Sequence, residues 1–310
     1  MIKRKPFLCI LLLILLFFTL SCTESEERES GRRPQVITTT NLIADMVKRV
    51  GGEFVQVRAL ISPGVDPHQY KASEADVIRI TGADIIFHNG LKLEGKLEDV
   101  MRRAQNVIPS FPVSRDIPEN LLLRSSNGDY DPHVWFDPKI WIYAVQTVAD
   151  ALVALDPDNT IYYRKNEEIY VEEILNMDKT ARDKLAAVPQ NRRILVTSHT
   201  SFAYFARSYG WSAIGIQGIS TMGEVSVYSI HALAKELVGS NAKCIFTETT
   251  VSSRFIDALQ ASSVILGSGF IVGEALFSDS LGDEPENNTY TKMFLKNVDN
   301  IVACINEGGG

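Results

Sequence analysis

The segment between Pro157 and Pro189 constrains the fold more than any other part of the sequence. It contains neither glycine nor proline, and apolar side chains recur through it among Glu, Lys and Arg. Because residues three or four positions apart share one face of a helix, this spacing predicts a single amphipathic helix. About thirty residues at about 1.5 Å each would make it roughly 45 Å long, enough to span a lobe. An αα-hairpin is the alternative, although the segment offers no Gly or Pro for a turn.

Strand-like and helix-like segments alternate on both sides of this helix. The predicted strands lie at 36–40, 54–61, 84–88 and near Val107 before it, and at 193–197, 212–216, 243–247 and 263–266 after it. The predicted helices lie at 42–50, 73–82, 93–103 and from Pro138 onward before it, and at 201–209, 227–238, 252–262 and 288–306 after it.

Such alternation is typical of parallel βαβ units, whose sheet is covered on both faces. The sequence therefore predicts an α/β fold with two lobes, residues 36–157 and 189–310, each with its own parallel sheet. One long helix at 158–188 is predicted to join the lobes. At the first helix of the first lobe, Asn41 is predicted to be the capping residue.

The first 35 residues are predicted to lie outside the fold. Basic residues at positions 3–5 precede an apolar run at 7–18, and Thr19-Leu20-Ser21-Cys22 follows. This order is typical of a secretory signal over residues 1–21; a retained membrane anchor is the alternative, but the run is short for it. Residues 22–35 are mostly Glu, Ser, Arg and Gly, which predicts a solvated tether.

Three cysteines remain once Cys9 is removed with the signal. Cys22 stands where a bacterial lipoprotein signal places its lipid-bearing cysteine, although Leu20 is displaced by one position from the usual pattern, so cleavage without lipid is the alternative. An exported chain meets an oxidising compartment, which allows a disulfide between Cys244 and Cys304. Two buried free thiols are the alternative.

The composition excludes some classes of partner. Apolar residues make up 45% and charged residues 22%, as in an ordinary globular protein. The net charge of −7 argues against nucleic acid, because phosphate-binding surfaces need a basic excess.

Four side chains are candidates for one binding site. Two of the five histidines follow the same dipeptide, in Asp66-Pro67-His68 and Asp131-Pro132-His133. Proline restricts its own backbone and the residue before it, so each imidazole extends from a stiffened turn. Open α/β sheets bind ligands at the carboxyl ends of their strands, where His68, His199 and Asp279 also fall. We therefore predict that His68 and His133 from the first lobe meet His199 and Asp279 from the second in the cleft.

Three imidazoles and one carboxylate suit a borderline divalent metal ion. Zinc binds N and O donors tetrahedrally, and imidazole also suits iron, copper and nickel. A single histidine behind a strand is more often structural, so the prediction depends on the recurrence of the pattern. His88 is predicted to be a turn residue or an outer partner of the site, and His231 to lie on a packed or solvated helix face.

Three acidic residues are candidates for the outer shell of this site. Asp66 and Asp131 are predicted either to orient the neighbouring imidazoles or to cap their own turns. Glu248, which follows a predicted strand, is predicted to reach the cleft as an outer partner. An extracytoplasmic zinc hydrolase is the alternative function, but it needs a vacant coordination position, and four protein ligands leave no obvious room for water. The sequence therefore predicts a binding protein rather than an enzyme.

Together these segments resemble the metal-binding solute-binding lipoproteins of ABC importers, of the TroA, ZnuA and PsaA type. The resemblance covers essentially the whole chain after the tether, and it includes Asp131-Pro132-His133-Val134-Trp135, Val196-Thr197-Ser198-His199 and Phe277-Ser278-Asp279-Ser280-Leu281-Gly282. It implies two lobes bridged by one rigid helix, little hinge closure, and His68, His133, His199 and Asp279 as the ligands.

The resemblance also implies the partners and the location. A membrane permease with its ATPase subunit would receive the ion from this chain, which would act as a monomer. The chain would lie in the periplasm or on the outer face of the cytoplasmic membrane, anchored through lipid on Cys22. A role in cell adhesion is attributed to some members.

The cargo is expected to be one zinc or manganese ion, with iron ranked behind them. Zinc-specific members often carry a His-rich loop before the second ligand, and residues 111–129 contain no histidine. Manganese-specific members commonly have Glu where this chain has His199. Because binding needs neutral imidazoles, we expect affinity to weaken as pH falls through the histidine range.

Overall fold

A computed structural model describes residues 32–125 and 127–308 of the chain. The predicted signal at 1–21, Cys22 and most of the predicted tether therefore lie outside the described residues. Within the described ranges, no helix has both the length and the apolar character needed to cross a membrane.

The first lobe is built on a four-stranded parallel sheet. Its elements are β1 (Gln35–Thr38), α1 (Asn41–Gly51), β2 (Gln56–Ala59), α2 (Glu74–Thr81), β3 (Ile85–His88), α3 (Glu98–Ala104), β4 (Ser110–Pro112) and α4 (Pro138–Leu155). The strand order is β2-β1-β3-β4, and every pair is parallel. The predicted strand near Val107 falls three residues later, at β4, and Val107 itself is in an exposed turn.

A single helix, α5 (Thr160–Ala186), follows the first lobe and is 27 residues long. Its buried side chains recur along one face, which packs against α1 and α4, and they are Tyr163, Tyr170, Ile174, Met177, Asp178, Ala181 and Leu185. At about 1.5 Å per residue the helix is about 40 Å long. The αα-hairpin alternative is therefore excluded, while the exact lobe limits at 36–157, 158–188 and 189–310 stay predictions.

The second lobe repeats the plan of the first. Its elements are β5 (Ile194–His199), α6 (Ala203–Tyr209), β6 (Ser212–Gln217), α7 (Val227–Val238), β7 (Cys244–Glu248), α8 (Arg254–Ile265), β8 (Ile271–Leu276) and α9 (Tyr290–Glu307). The order is β6-β5-β7-β8, again parallel throughout.

The strand predicted at 263–266 is wrong. Those residues form the end of α8 and its cap, and the fourth strand of this lobe is β8, which begins at Ile271. A short apolar run fits a helix as well as a strand, and here Val264 and Ile265 are 60% and 80% exposed. The chain turns at Gly267, whose φ of +78° favours glycine, before it enters the sheet.

Asn41 does not cap α1 as predicted. The cap is Thr40, whose Oγ1 accepts a hydrogen bond from the backbone N–H of Ile43 at 3.4 Å. The Asn41 side chain instead donates to Ser280 Oγ at 3.0 Å and accepts from the backbone N–H of Leu281 at 3.0 Å. Asn41 therefore connects the two lobes.

One apolar core runs through both lobes and the linking helix. It includes Trp141 and Phe136 of the first lobe and Phe202 and Tyr290 of the second. The ring centroids of Phe136 and Phe202 lie 4.3 Å apart, and those of Trp141 and Tyr290 lie 5.8 Å apart. Each such pair adds about 0.5–1.5 kcal/mol beyond the burial of its area, so the lobes are held together by packing.

A disulfide joins Cys244, the first residue of β7, to Cys304 of α9. Of the two alternatives for these cysteines, the structure contains the disulfide. It ties the strand that ends at Glu248 to the last helix of the second lobe.

Candidate metal centre

The four candidate ligands converge from four different segments. His68 lies in the loop after β2, and His133 immediately precedes the 3₁₀ turn Val134–Phe136 that leads into α4. His199 is the last residue of β5, and Asp279 follows β8. All four therefore come from the carboxyl ends of strands or the loops beyond them, where the parallel sheets of the two lobes face each other.

Their ligating atoms form a compact cluster. One N or O atom from each of the four side chains lies within 4.8 Å of all the others. Nε2 of His133 is 3.2 Å from Nε2 of His199 and 3.4 Å from Oδ1 of Asp279, and Nε2 of His199 is 3.4 Å from Oδ2 of Asp279. Ligands of one tetrahedral zinc ion are separated by about 3.4 Å, so these three side chains already have the spacing of a shared shell.

His68 completes the cluster at a slightly longer distance. Its Nε2 lies 4.0 Å from Oδ2 of Asp279, and its ring centroid lies 5.4 Å from that of His133 and 5.6 Å from that of His199. A shift of under 1 Å would bring this nitrogen to the spacing of the other three. His68 is therefore the candidate ligand that lies furthest from the other three.

The cluster is closed to solvent, and two of its polar atoms lack hydrogen-bond partners among the described residues. All four residues are at most 1% exposed. Among the described residues, none makes a hydrogen bond to Nε2 of His68 or Oδ1 of Asp279. Buried polar atoms without partners cost free energy, and a cation between them would satisfy both. The donor set and these two atoms fit a metal ion.

Two carboxylates fix the orientation of two of the imidazoles. Nδ1 of His133 lies 2.7 Å from Oδ1 of Asp131, and Nδ1 of His199 lies 2.6 Å from Oε2 of Glu248. Because a carboxylate accepts a hydrogen bond from Nδ1–H, each ring keeps its Nε2 atom directed at the cluster. Asp131 and Glu248 therefore lie where outer partners of the site were predicted.

Asp66 shares only the turn-capping contact of Asp131, whose Oδ1 also accepts the backbone N–H of His133 at 2.9 Å. Oδ1 of Asp66 accepts the backbone N–H of His68 at 2.8 Å, and its Oδ2 accepts the hydroxyl of Thr221 at 2.5 Å and the amide of Gln69 at 2.9 Å. This is the turn-capping alternative, extended by a contact to the second lobe. Asp66 holds the His68 backbone and makes no hydrogen bond to the imidazole among those the structure shows.

Burial and the carboxylates of Glu248 and Asp279 shift the pKa values of the histidines in the cluster. Burial lowers the pKa of His68 to about 4, against the opposing attraction of Asp279. Burial also acts to lower the pKa of His199, but Glu248 and Asp279 outweigh it and raise that pKa well above its ordinary value. For Asp279, burial acts to raise the pKa, and the imidazoles of His199, His133 and His68 lower it far below the usual carboxyl range. In the ion-free cluster these shifts favour an ionised Asp279 and a protonated His199.

Sequence reasoning missed two residues, Trp135 and Asn89, that hydrogen-bond to the backbone next to candidate ligands. Trp135 Nε1 donates to the backbone carbonyl of Ser278 at 2.8 Å, next to Asp279. Asn89 Nδ2 donates to the carbonyl of Pro132 at 3.0 Å, next to His133. Asn89 is followed by Gly90, a pair that indicates a turn, but nothing in the sequence indicates which loop this turn contacts.

The two remaining histidines lie outside the cluster. His88 ends β3 and is half-buried, as expected for a residue beside the Asn89-Gly90 turn. His231 is on an exposed face of α7, which is one of its two predicted positions.

Two parallel-sheet lobes, a linking helix and a buried three-histidine, one-aspartate cluster between the sheets define a two-lobed metal-binding protein of the solute-binding class. The family described as zinc-uptake complex component A, periplasmic (ZnuA) matches residues 36–304. The chain belongs to this family, so the family predicted from the sequence is confirmed.

Individual relatives agree with this assignment over nearly their whole length. The manganese-binding lipoprotein MntA of Bacillus subtilis is 36% identical over 285 residues, which cover 91% of this chain and 93% of MntA. The zinc-binding protein TroA of Treponema pallidum is 35% identical over 306 residues, which cover 98% of this chain and 99% of TroA. The solved structure of TroA superposes with a TM-score of 0.86, covering 88% of this chain and 99% of TroA.

A third relative bears on the choice of ion. The structure of Fe(III)-bound YtgA from Chlamydia trachomatis matches with a TM-score of 0.79 and 27% identity, covering 88% of this chain and 98% of YtgA. These matches confirm the predicted fold class and the predicted function as a solute-binding component of metal ABC transporters. They give no support to the hydrolase alternative, because the family consists of solute-binding proteins.

Proposed function

We propose that this chain captures one divalent transition-metal ion, zinc or manganese, outside the cytoplasm and delivers it to the permease of an ABC importer. The observation that carries the proposal is the convergence of His68, His133, His199 and Asp279 from both lobes, with ligating atoms within 4.8 Å of one another and no solvent exposure. The names of MntA and TroA, which specify manganese and zinc, support the choice of ions.

The four side chains act together as the binding shell. Imidazole and carboxylate donors suit zinc, manganese and iron, and the general order of affinities favours zinc over manganese at such a site. Iron ranks third, in line with the Fe(III)-bound YtgA structure. Asp131 and Glu248 keep two of the imidazoles oriented. Less conformational entropy is therefore lost when the ion binds.

The remaining features of the proposal concern the membrane and the partners. A lipid on Cys22 would anchor the chain at the outer face of the cytoplasmic membrane, and MntA is a named lipoprotein. A permease and an ATPase subunit complete an importer of this kind. The chain acts as a monomer, because both lobes supply ligands to one site within a single chain.

Elemental analysis of the tag-free mature chain tests this function. We expect about one equivalent of bound metal, and competition among zinc, manganese and ferrous iron orders their affinities. The variants H68A, H133A, H199A and D279A should each lose most of the metal. The matched control is H231A, because His231 is exposed on α7 and lies outside the cluster. Full metal retention in both H133A and H199A would refute the proposed site.

A further inference from the structure

Two groups of the hydrogen bonds that join the lobes lie beside candidate ligands from opposite lobes, and the first holds the Asp279 loop. Ser280 Oγ accepts hydrogen bonds from Asn41 Nδ2 at 3.0 Å and from the backbone N–H of Gly64 at 3.1 Å. Trp135 fixes the other side of the loop through the Ser278 carbonyl. Asp279 is therefore attached to the first lobe on both sides, although it belongs to the second.

The second group lies beside His68 and consists of Asp66, Gln69 and Thr221. The Thr221 hydroxyl donates to Oδ2 of Asp66 at 2.5 Å, and Gln69 Nε2 donates to both Oδ2 of Asp66 at 2.9 Å and Oγ1 of Thr221 at 3.2 Å. Oδ1 of the same Asp66 accepts the backbone N–H of His68. One carboxylate thus connects the backbone of a candidate ligand to a hydroxyl group on the opposite lobe.

Thr221 is itself held near a second candidate ligand. Gln217, the last residue of β6, pairs in register with His199. The Gln217 amide donates to the carbonyls of Thr221 at 3.2 Å and Gly223 at 3.0 Å. The segment 218–223 therefore extends from the position of His199 across the cleft to the turn of His68.

We infer that the hydrogen bond between Thr221 and Asp66 is a latch that sets how fast the bound ion leaves. This inference rests on the proposed function. His68 is the ligand with the longest spacing from the other three, and its turn is held across the cleft through Asp66 rather than through its own ring. Release of the latch removes the contacts of Asp66 and Gln69 with Thr221, while Gly64, Asn41 and Trp135 keep the Asp279 loop in place. Thr221 and Asp66 are thus positioning residues, since neither belongs to the ligand cluster.

The rate of zinc transfer from the loaded mature chain to an excess of a chromophoric chelator tests the latch. T221V removes the hydroxyl at nearly constant volume, and we expect zinc to dissociate about tenfold faster, as for the loss of a hydrogen bond to a charged group. T221S keeps the hydroxyl and should dissociate at the wild-type rate. The control T180V removes an exposed helix hydroxyl that donates only to the Asn176 carbonyl, and it should also leave the rate unchanged.

Measurements in a D66A background distinguish a latch from a general structural role of Thr221. In D66A the acceptor is absent, so adding T221V should accelerate release much less than it does when Asp66 is present. The latch is refuted if T221V releases zinc at the wild-type rate, or if T221V accelerates release equally with and without Asp66. Failure of the proposed function has a different signature, because the wild-type chain would then take up no zinc at all.

Discussion

Glu248 contacts His199 twice, through Oε2 to the ring Nδ1 at 2.6 Å and through Oε1 to the backbone N–H at 2.9 Å. The same residue thereby sets both the position and the orientation of one candidate ligand. Glu248 is at the end of β7 and His199 at the end of β5, so the contact joins neighbouring strands of one sheet.

Replacing Glu248 by glutamine should weaken metal binding without removing a ligand. We expect E248Q to lose roughly 10- to 100-fold in zinc affinity, the usual effect of removing an outer partner of a metal-bound histidine. Competition with a chelator of known affinity measures this change. The matched control is E274Q, because Glu274 is exposed on the adjacent strand β8 and should leave the affinity unaltered. Equal affinities for E248Q and the wild type would contradict the role of Glu248.

Metal binding should release about one proton at neutral pH. The raised pKa of His199 keeps its imidazole protonated in the ion-free cluster, whereas His68, with a pKa of about 4, is already neutral. Since the ion needs the His199 lone pair, that proton must leave, and affinity should weaken by about tenfold for each unit that pH falls. Calorimetric titration with zinc in buffers of different ionisation enthalpy counts the proton.

The E248Q variant provides the internal control for this proton. Loss of the Glu248 charge lowers the pKa of His199 toward its ordinary value, so the variant should release fewer protons even though it binds more weakly. A zinc affinity that stays constant between about pH 7.5 and 5.5 would be incompatible with the predicted ligands.

Asp76 makes the stability of the first lobe depend on pH. Burial acts to raise its pKa, but hydrogen bonds from Ser73, Tyr70 and Arg79 outweigh this and lower that pKa below the ordinary value of 3.8. A lowered pKa in the folded state stabilises the protein above the unfolded value, and this contribution is lost as pH falls through the folded value. We expect D76N to reduce the free energy of unfolding by about 1–3 kcal/mol near neutral pH, with the difference shrinking below pH 4.

Urea unfolding of the D76N variant at a series of pH values measures this contribution. The control is D99N, because Asp99 pairs with Arg102 on the exposed surface of α3, where such pairs contribute little. A D76N deficit of the same size at pH 7 and at pH 3 would show that the carboxylate charge of Asp76 is not the cause.

Removal of the Cys244 to Cys304 disulfide should destabilise the second lobe but spare the metal site. The bond closes a loop of 60 residues, and the loss of such a crosslink typically costs about 2–5 kcal/mol. Zinc affinity of the C244A/C304A double variant should change little, because Glu248 is held at the other end of β7 by the neighbouring strands. Equal urea midpoints for the double variant and the oxidised wild type would contradict this expectation.

Much of the fold was predictable because its signals are local. The repeated strand and helix patterns, and the absence of Gly and Pro within α5, depend on residues close in sequence. The strand at 263–266 was predicted wrongly because a four-residue apolar run has no clear period, and only pairing with β7 decides that Ile271 and its successors form the strand. The choice of Thr40 over Asn41 as the cap of α1 likewise depends on Ser280, which is 239 positions away from Asn41.

The candidate ligands could be found because histidine is rare in this chain and recurs behind Asp-Pro. Their supporting contacts could not be found in the same way. Asp66 and Asp131 precede their histidines identically in sequence. Asp131 nevertheless accepts a hydrogen bond from the imidazole of His133, whereas Asp66 accepts one from Thr221 on the opposite lobe. That difference arises from the tertiary surroundings of each turn, which local sequence does not encode.

The shared apolar core limits how a permease could distinguish the ion-bound protein from the ion-free protein. With Phe136 stacked on Phe202 and Trp141 beside Tyr290, a wide swing of the lobes would break up the interior of the protein. We therefore expect the difference between the two states to lie in the loops that carry His68 and Thr221 rather than in the packing of the lobes. A membrane partner that accepts only the loaded carrier has to recognise a displacement of a few loop atoms rather than a change in overall shape.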